Sequence, residues 1–242
     1  MTTGFLVSLL LFGASNADDK PAKAKLERND KLEGTWVEGE NVWVINGNEI
    51  TAYDPSSRTP SKSKFKIDST TKPMQIDFEA KFGLLLGIYE VKGDTMKYCI
   101  ERTSPRRQPA ARPTEFKTVQ GETILRTFER REPAAGTAVK IRETFLENEA
   151  LADVTYTSRM VTVTGTVQRI QRDEGGYVVE VSSKPVPLLF SFEYTTRHRL
   201  ARLKKGEEVT IQGICFGKRH IKGNSGEEAI FFAGSTIIEA KE

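Results

Sequence analysis

Histidine and cysteine are scarce: 242 residues contain two of each. Thiol or imidazole catalysis needs a nucleophile, a base and an orienting carboxylate in one place. His198 and His220 instead sit among cations, in Arg197-His198-Arg199 and Lys218-Arg219-His220. A structural zinc site needs clustered Cys or His, which this supply does not provide. Cys99 and Cys215 are too few and too far apart for a disulfide-built scaffold. Each lies in a strand-like run, MKYCI and GICFG, and reads as a buried apolar thiol. A G-x-S-x-G elbow is missing, and Gly217-Lys218-Arg219 lacks the spacing and hydroxyl of a phosphate loop. The sequence therefore predicts no enzyme, no catalytic or metal-binding residues and no cofactor. A charge excess is missing too, with 36 Lys and Arg against 33 Asp and Glu. A net +3 so evenly mixed gives no argument for a polyanion partner.

No apolar run reaches the roughly 20 residues of a membrane-spanning helix. The strongest one, Phe5 to Phe12, is followed by Ala14-Ser15-Asn16-Ala17 and then Asp18-Asp19-Lys20. Small residues at Ser15 and Ala17 suit signal peptidase, although no Lys or Arg precedes the run. Residues 1–17 are expected to be a signal peptide and 18–29 a flexible lead-in. The mature protein would then be exported, periplasmic or secreted, after cleavage near Ala17.

From Lys31 onward the hydrophobic period is two. Val42 to Ile45, Asn46-Gly47 and Glu49 to Tyr53 predict a hairpin with Asn-Gly in its turn. Further strands are expected at Lys64–Asp68, Met74–Phe78, Leu84–Val91, Thr95–Glu101, Thr114–Thr118 and Glu122–Arg130. Residues 132–136, rich in Pro and small side chains, read as a linker. Thr137 is placed to cap a helix that buries Ile141, Phe145 and Ala152. Strands at Met160–Gln171, Tyr177–Ser182, Leu188–Tyr194, Glu207–Phe216 and Ala229–Glu239 follow, with a helical stretch Thr195 to Lys205 before the fourth. That order is the order of an OB-fold, a small Greek-key barrel. The fold class is thus all-β: a barrel over 30–131, then an OB-fold with an extra N-terminal helix over 137–242.

The residues of the first half resemble a lipocalin-like domain of unknown function abundant in planctomycete bacteria. The matching blocks are Asp30 to Trp36, Phe65 to Asp68 with Pro73 and Ile76-Asp77, Gly87 to Glu90, Gly93 to Cys99, and Arg112 to Phe116. Gly34-Thr35-Trp36 resembles the signature of a first lipocalin strand. The likeness implies that Trp36 packs against an Arg of the last strand, here Arg130, as a structural closure. The second half resembles the tRNA-anti-like OB-fold family. Its matching pieces are Phe145 with Asn148 to Asp153 and Tyr156, Val163 to Val167, Leu203 to Gly206, and Val209 to Cys215. This likeness implies kinship of fold with nucleic-acid-binding OB domains, and fold alone does not fix a ligand.

The expected function is binding or interaction. Trp43, Tyr53, Phe82 and Tyr89 are candidates to line a pocket in the first barrel for a small apolar molecule. Arg197, Arg199, Arg202, Lys204 and Lys205 are candidates to contact an oligonucleotide or oligosaccharide on the OB-fold. Nucleic acid is nonetheless not the expected partner. Alternation turns Leu188, Phe190, Phe192 and Tyr194 inward with Tyr177, Val179 and Val181, leaving Glu180, Ser182, Ser191 and Glu193 on an acidic, ring-free face. A small apolar molecule or another envelope protein fits better.

Overall fold

The computed structural model describes residues 31–54, 60–80, 83–101, 111–182, 185–221 and 227–240. The proposed signal peptide and lead-in, and the candidate pocket residue Phe82, lie outside the described residues. The chain is mostly β, with two barrels in series, so the all-β expectation holds.

Eight antiparallel strands form the first barrel: β1 (Gly34–Glu38), β2 (Asn41–Asn46), β3 (Glu49–Tyr53), β4 (Ser61–Asp68), β5 (Met74–Ala80), β6 (Gly83–Lys92), β7 (Thr95–Glu101) and β8 (Thr123–Arg131). Each pairs with its successor, and β8 returns to β1 with Trp36 opposite Arg130, closing the ring. Closure leaves no strand edge exposed. Residues 114–118, expected as a strand, are a bend at 114–116 followed by irregular chain, with an isolated bridge just beyond, Val119 to Thr123. Because β7 and β8 already pair with each other, this segment makes local bonds instead, Lys117 N donating to Glu115 O at 3.1 Å. Thr123 Oγ1 donates to Lys117 O at 2.6 Å and accepts from Val119 N at 2.9 Å. Arg112 anchors its start with hydrogen bonds to Asp77 at 2.6 and 3.1 Å.

The first hairpin is shifted from its expected register. Asn46 pairs with Glu49, so the turn is Gly47-Asn48 rather than Asn46-Gly47. Of the two, only Gly47 has positive φ (+59°), which suits the mirror-image turn needing glycine at its first central position.

Ala134–Thr137 forms β9 and pairs in parallel with β10 (Met160–Asp173). Most of the segment expected as a linker is therefore sheet, and it holds the chain against the second domain. Two helices follow, α1 (Ala138–Glu147) and α2 (Glu149–Tyr156). Thr137 caps the first, its Oγ1 accepting from Lys140 N at 3.2 Å. Asn148 ends α1 and caps α2, with its side chain accepting from Leu151 N at 3.0 Å. Ile141, Phe145 and Ala152 are buried on the expected face.

The second barrel adds β11 (Gly176–Val181), β12 (Leu188–Phe192), a short helix α3 (Arg197–Leu200), β13 (Glu208–His220) and β14 (Glu228–Ala240). Long, bent β10 pairs with β13 through its first half and with β11 through its second. With β11–β12, parallel β12–β14 and β13–β14 this closes a five-stranded ring in the connectivity of an OB-fold. Its core holds Val161, Val163, Val179, Phe190, Ile211 and Phe232. The expected helix over 195–205 is only a 3-10 turn and four α-helical residues, since Leu200 and Leu203 are buried in the core and end the run.

Candidate binding surfaces

In the first barrel Trp36, completely buried, donates from Nε1 to Leu32 O at 2.7 Å. The Arg130 guanidinium lies 4.3 Å over its ring and donates to the Glu33 and Lys31 carbonyls. A methyl group on Gly34 would sit 2.8 Å from Arg130 Nη1, so the glycine makes room for that guanidinium. Leu32, Trp36 and Arg130 thus pack together beside the β1–β8 pairing.

The candidate pocket residues part company. Trp43 points inward and stacks obliquely on Phe128 at 4.5 Å and Tyr98 at 4.9 Å, with Phe78 at 6.1 Å. Tyr89 is buried in the same core. These rings pack with Trp36 and Phe65 into one cluster inside the barrel. Tyr53 does not face them. It points out of the barrel and packs, with Val37 and Val42, against Ile214 of the second domain. The reason lies in the alternation: Ile50 and Ala52 of β3 point in, so Thr51 and Tyr53 point out.

This outward set is the seam of the molecule. Val37, Val42, Val44 and Tyr53 of β1–β3 meet Met160, Ile214, Phe216 and Ala233 of β10, β13 and β14. Gly234 has φ +59°, and a methyl group on it would lie 2.1 Å from Tyr53 Oη, so the phenol lies directly over this backbone. Burial, then the nearby Glu193 carboxylate, push the Tyr53 pKa up to about 12, so the phenol stays a neutral donor. The sequence carries a sign of the seam. Val42-Trp43-Val44-Ile45 is apolar on both faces of a strand, which requires burial on both sides.

Two clefts border the seam. The larger, about 630 Å³, is bounded by Val37, Glu40 and Arg131 of the barrel and by Asp153, Val154 and Phe216 of the second domain. Lys218 in its wall is held by Glu149 at 2.7 Å and Glu228 at 3.4 Å, which raise its pKa. Arg219 lies 3.9 Å from Glu40 and donates from Nε to Phe216 O at 3.1 Å. Cations and carboxylates alternate around this cleft, and Val154 beside it is 70% exposed. The smaller cleft, about 280 Å³, has Tyr53 in its wall and lies between β3, β4 and the β12–β14 wall.

On the OB-fold surface, Glu180 and Glu193 are on the outer face as expected from alternation, and Glu180 is paired with Arg169 at 3.0 Å. Tyr194 departs from expectation. Because β12 ends at Phe192, Tyr194 begins the 3-10 turn and its ring is 39% exposed rather than turned inward. Its hydroxyl donates to Asp173 O at 3.0 Å, Tyr177 meets it edge-on at 5.8 Å, and Arg172 lies 5.5 Å over the ring. Arg197, Arg199, Arg202, Lys204 and Lys205 are all exposed, with Lys204 paired to Glu207 at 3.7 Å. His198 and His220 are exposed, and both cysteines are free and buried. Burial pushes the Cys215 thiol up to about 12. Among the described residues no cluster of His, Cys, Asp and Glu is placed to hold a metal, and no helix is long and apolar enough to cross a membrane.

The five-stranded ring with its parallel β12–β14 pair defines the second half as an OB-fold-like domain. Residues 111–224 match the tRNA_anti-like family model, so this half carries a tRNA_anti-like domain. The match starts before β8 of the first barrel and stops short of β14. A solved Klebsiella pneumoniae structure described as a "putative nucleic acid-binding lipoprotein" is similar at 19% identity with a TM-score of 0.34, over 43% of this chain and 91% of that one. No curated protein matches the chain.

Proposed function

We propose that the protein is a non-enzymatic binding protein, exported after removal of residues 1–17, that holds a segment of another envelope protein in the larger cleft of the seam. The observation that carries this reading is where space is found. The larger cleft is walled by both halves, whereas the interior of the first barrel holds a cluster of its own rings. The carrier reading, with an apolar molecule inside the first barrel, would have to fit it against Trp43, Tyr98 and Phe128. Mixed charge with exposed Val154 and half-buried Phe216 suits a polypeptide, which offers both signs and apolar side chains. The eight-stranded ring and the Trp36–Arg130 contact support the lipocalin-like reading of the first half, here as a rigid base.

A photo-crosslinking side chain at Val154 tests this in the source cell. We expect an adduct with one envelope protein there, and none from the same group at Ile238, which is 56% exposed but lies off the cleft. Equal labelling at both positions would contradict the proposal.

A second reading is favoured by Tyr194 and Arg172, an exposed ring with a cation, near the Arg197 to Lys205 run. Against it stand Glu180 and Glu193 on the adjoining face. Fluorescence anisotropy with a labelled single-stranded DNA at physiological salt is expected to give binding weaker than about 10⁻⁴ M, the weak limit of non-specific association. Micromolar binding abolished by Arg197→Glu with Arg199→Glu would establish the second reading instead.

A further inference from the structure

The smaller seam cleft has a chemistry unlike the larger. More than half of its lining residues carry a hydroxyl, among them Thr51 and Tyr53 from β3 and Ser191, Thr196, Ser235 and Thr236 from the second domain. Its charges are one Lys62 and one Glu193, which face each other at 3.6 Å. Ser235 is 5% exposed with its Oγ closed off from the cleft beside Gly213, whereas Thr51 and Ser191 are half-buried and Thr236 is exposed. At about 280 Å³ the space lies near the lower end of small-molecule sites.

We propose that this cleft is a binding site for a small neutral polyhydroxylated molecule, a single sugar or cyclitol, held by hydroxyls from both barrels. Each hydroxyl both donates and accepts, and a ligand hydroxyl is its complement. An anion would meet one cation already paired and the Glu193 carboxylate beside it. An apolar molecule would leave the hydroxyl lining without partners. Tyr53, neutral because burial and Glu193 disfavour its phenolate, adds a fixed donor. Thr196 spends its own proton on Glu193 O at 2.6 Å and presents its remaining lone pairs. The site is separate from the larger cleft and stands or falls independently of the partner proposed there.

Saturation-transfer NMR on the full chain with glucose, galactose and myo-inositol as probes, and with acetate and glycine as controls, tests it. We expect transfer to at least one polyol and none to the controls. Thr51→Val should weaken that polyol about 3- to 10-fold, the loss of one neutral hydrogen bond. The same variant should unfold close to the wild-type temperature, because Thr51 is half-buried and valine matches its shape. Ser191→Trp, at a half-buried position on the wall, should abolish the transfer by filling the cleft. No transfer to any polyol, transfer unchanged in both variants, or preferential binding of acetate or glycine would overturn the proposal.

Discussion

Replacing Ile214 with aspartate is expected to destabilise the protein by about 4 kcal/mol or more, among the largest effects of any single change. Ile214 is completely buried, yet it points out of its own barrel and into the valines of the other. An unpaired carboxylate there must be desolvated or the seam must open. Ile214→Val should cost only about 0.5–1.5 kcal/mol, the loss of one methylene. Urea denaturation of the two variants separates a charge effect from a packing effect. Equal small losses would mean that the seam is wet and adjustable.

The second large effect is at the Trp36–Arg130 pair of the first barrel. Trp36→Ala is expected to cost about 3–5 kcal/mol, since it empties a fully buried site, removes the donor to Leu32 O and strips Arg130 of its ring. For a protein of this size the unfolding temperature should fall by roughly 2–4 °C per kcal/mol. Arg130→Lys should give a smaller loss. Lysine keeps the charge but cannot reach the Glu33 and Lys31 carbonyls together as the planar guanidinium does. An alanine variant at Trp36 that melts like the wild type would show that the pair does not stabilise the barrel.

Much of the fold was legible because alternation is a local signal. The strands at Thr95–Glu101 and the inward faces of β11 and β12 followed from period two alone. The Thr137 cap followed from hydroxyl chemistry at a helix start. Where reading failed, the deciding interaction was distant in sequence. Tyr53 has the right alternation for an outer face, but an aromatic in a barrel strand suggests an inward ring until a second barrel is known to lie against it. Ala134 to Thr137 looked like a tether because small residues give no period, yet they suit a strand lying beside β10. Residues 114–118 have strand composition but meet a ring already closed by eight other strands. Both clefts were invisible for the same reason: each is assembled from residues more than a hundred positions apart.

The central claim is that the two barrels form one body joined at the Val42–Ile214 seam, whose margins supply the binding sites. Both tryptophans, Trp36 and Trp43, lie in the first barrel, so their emission reports that barrel alone, whereas far-UV circular dichroism reports both. Equilibrium unfolding in urea followed by the two signals is therefore the direct test. The account predicts superimposable transitions in the wild type. Two separated transitions in the wild type would contradict it, because barrels that unfold independently are not held by the seam.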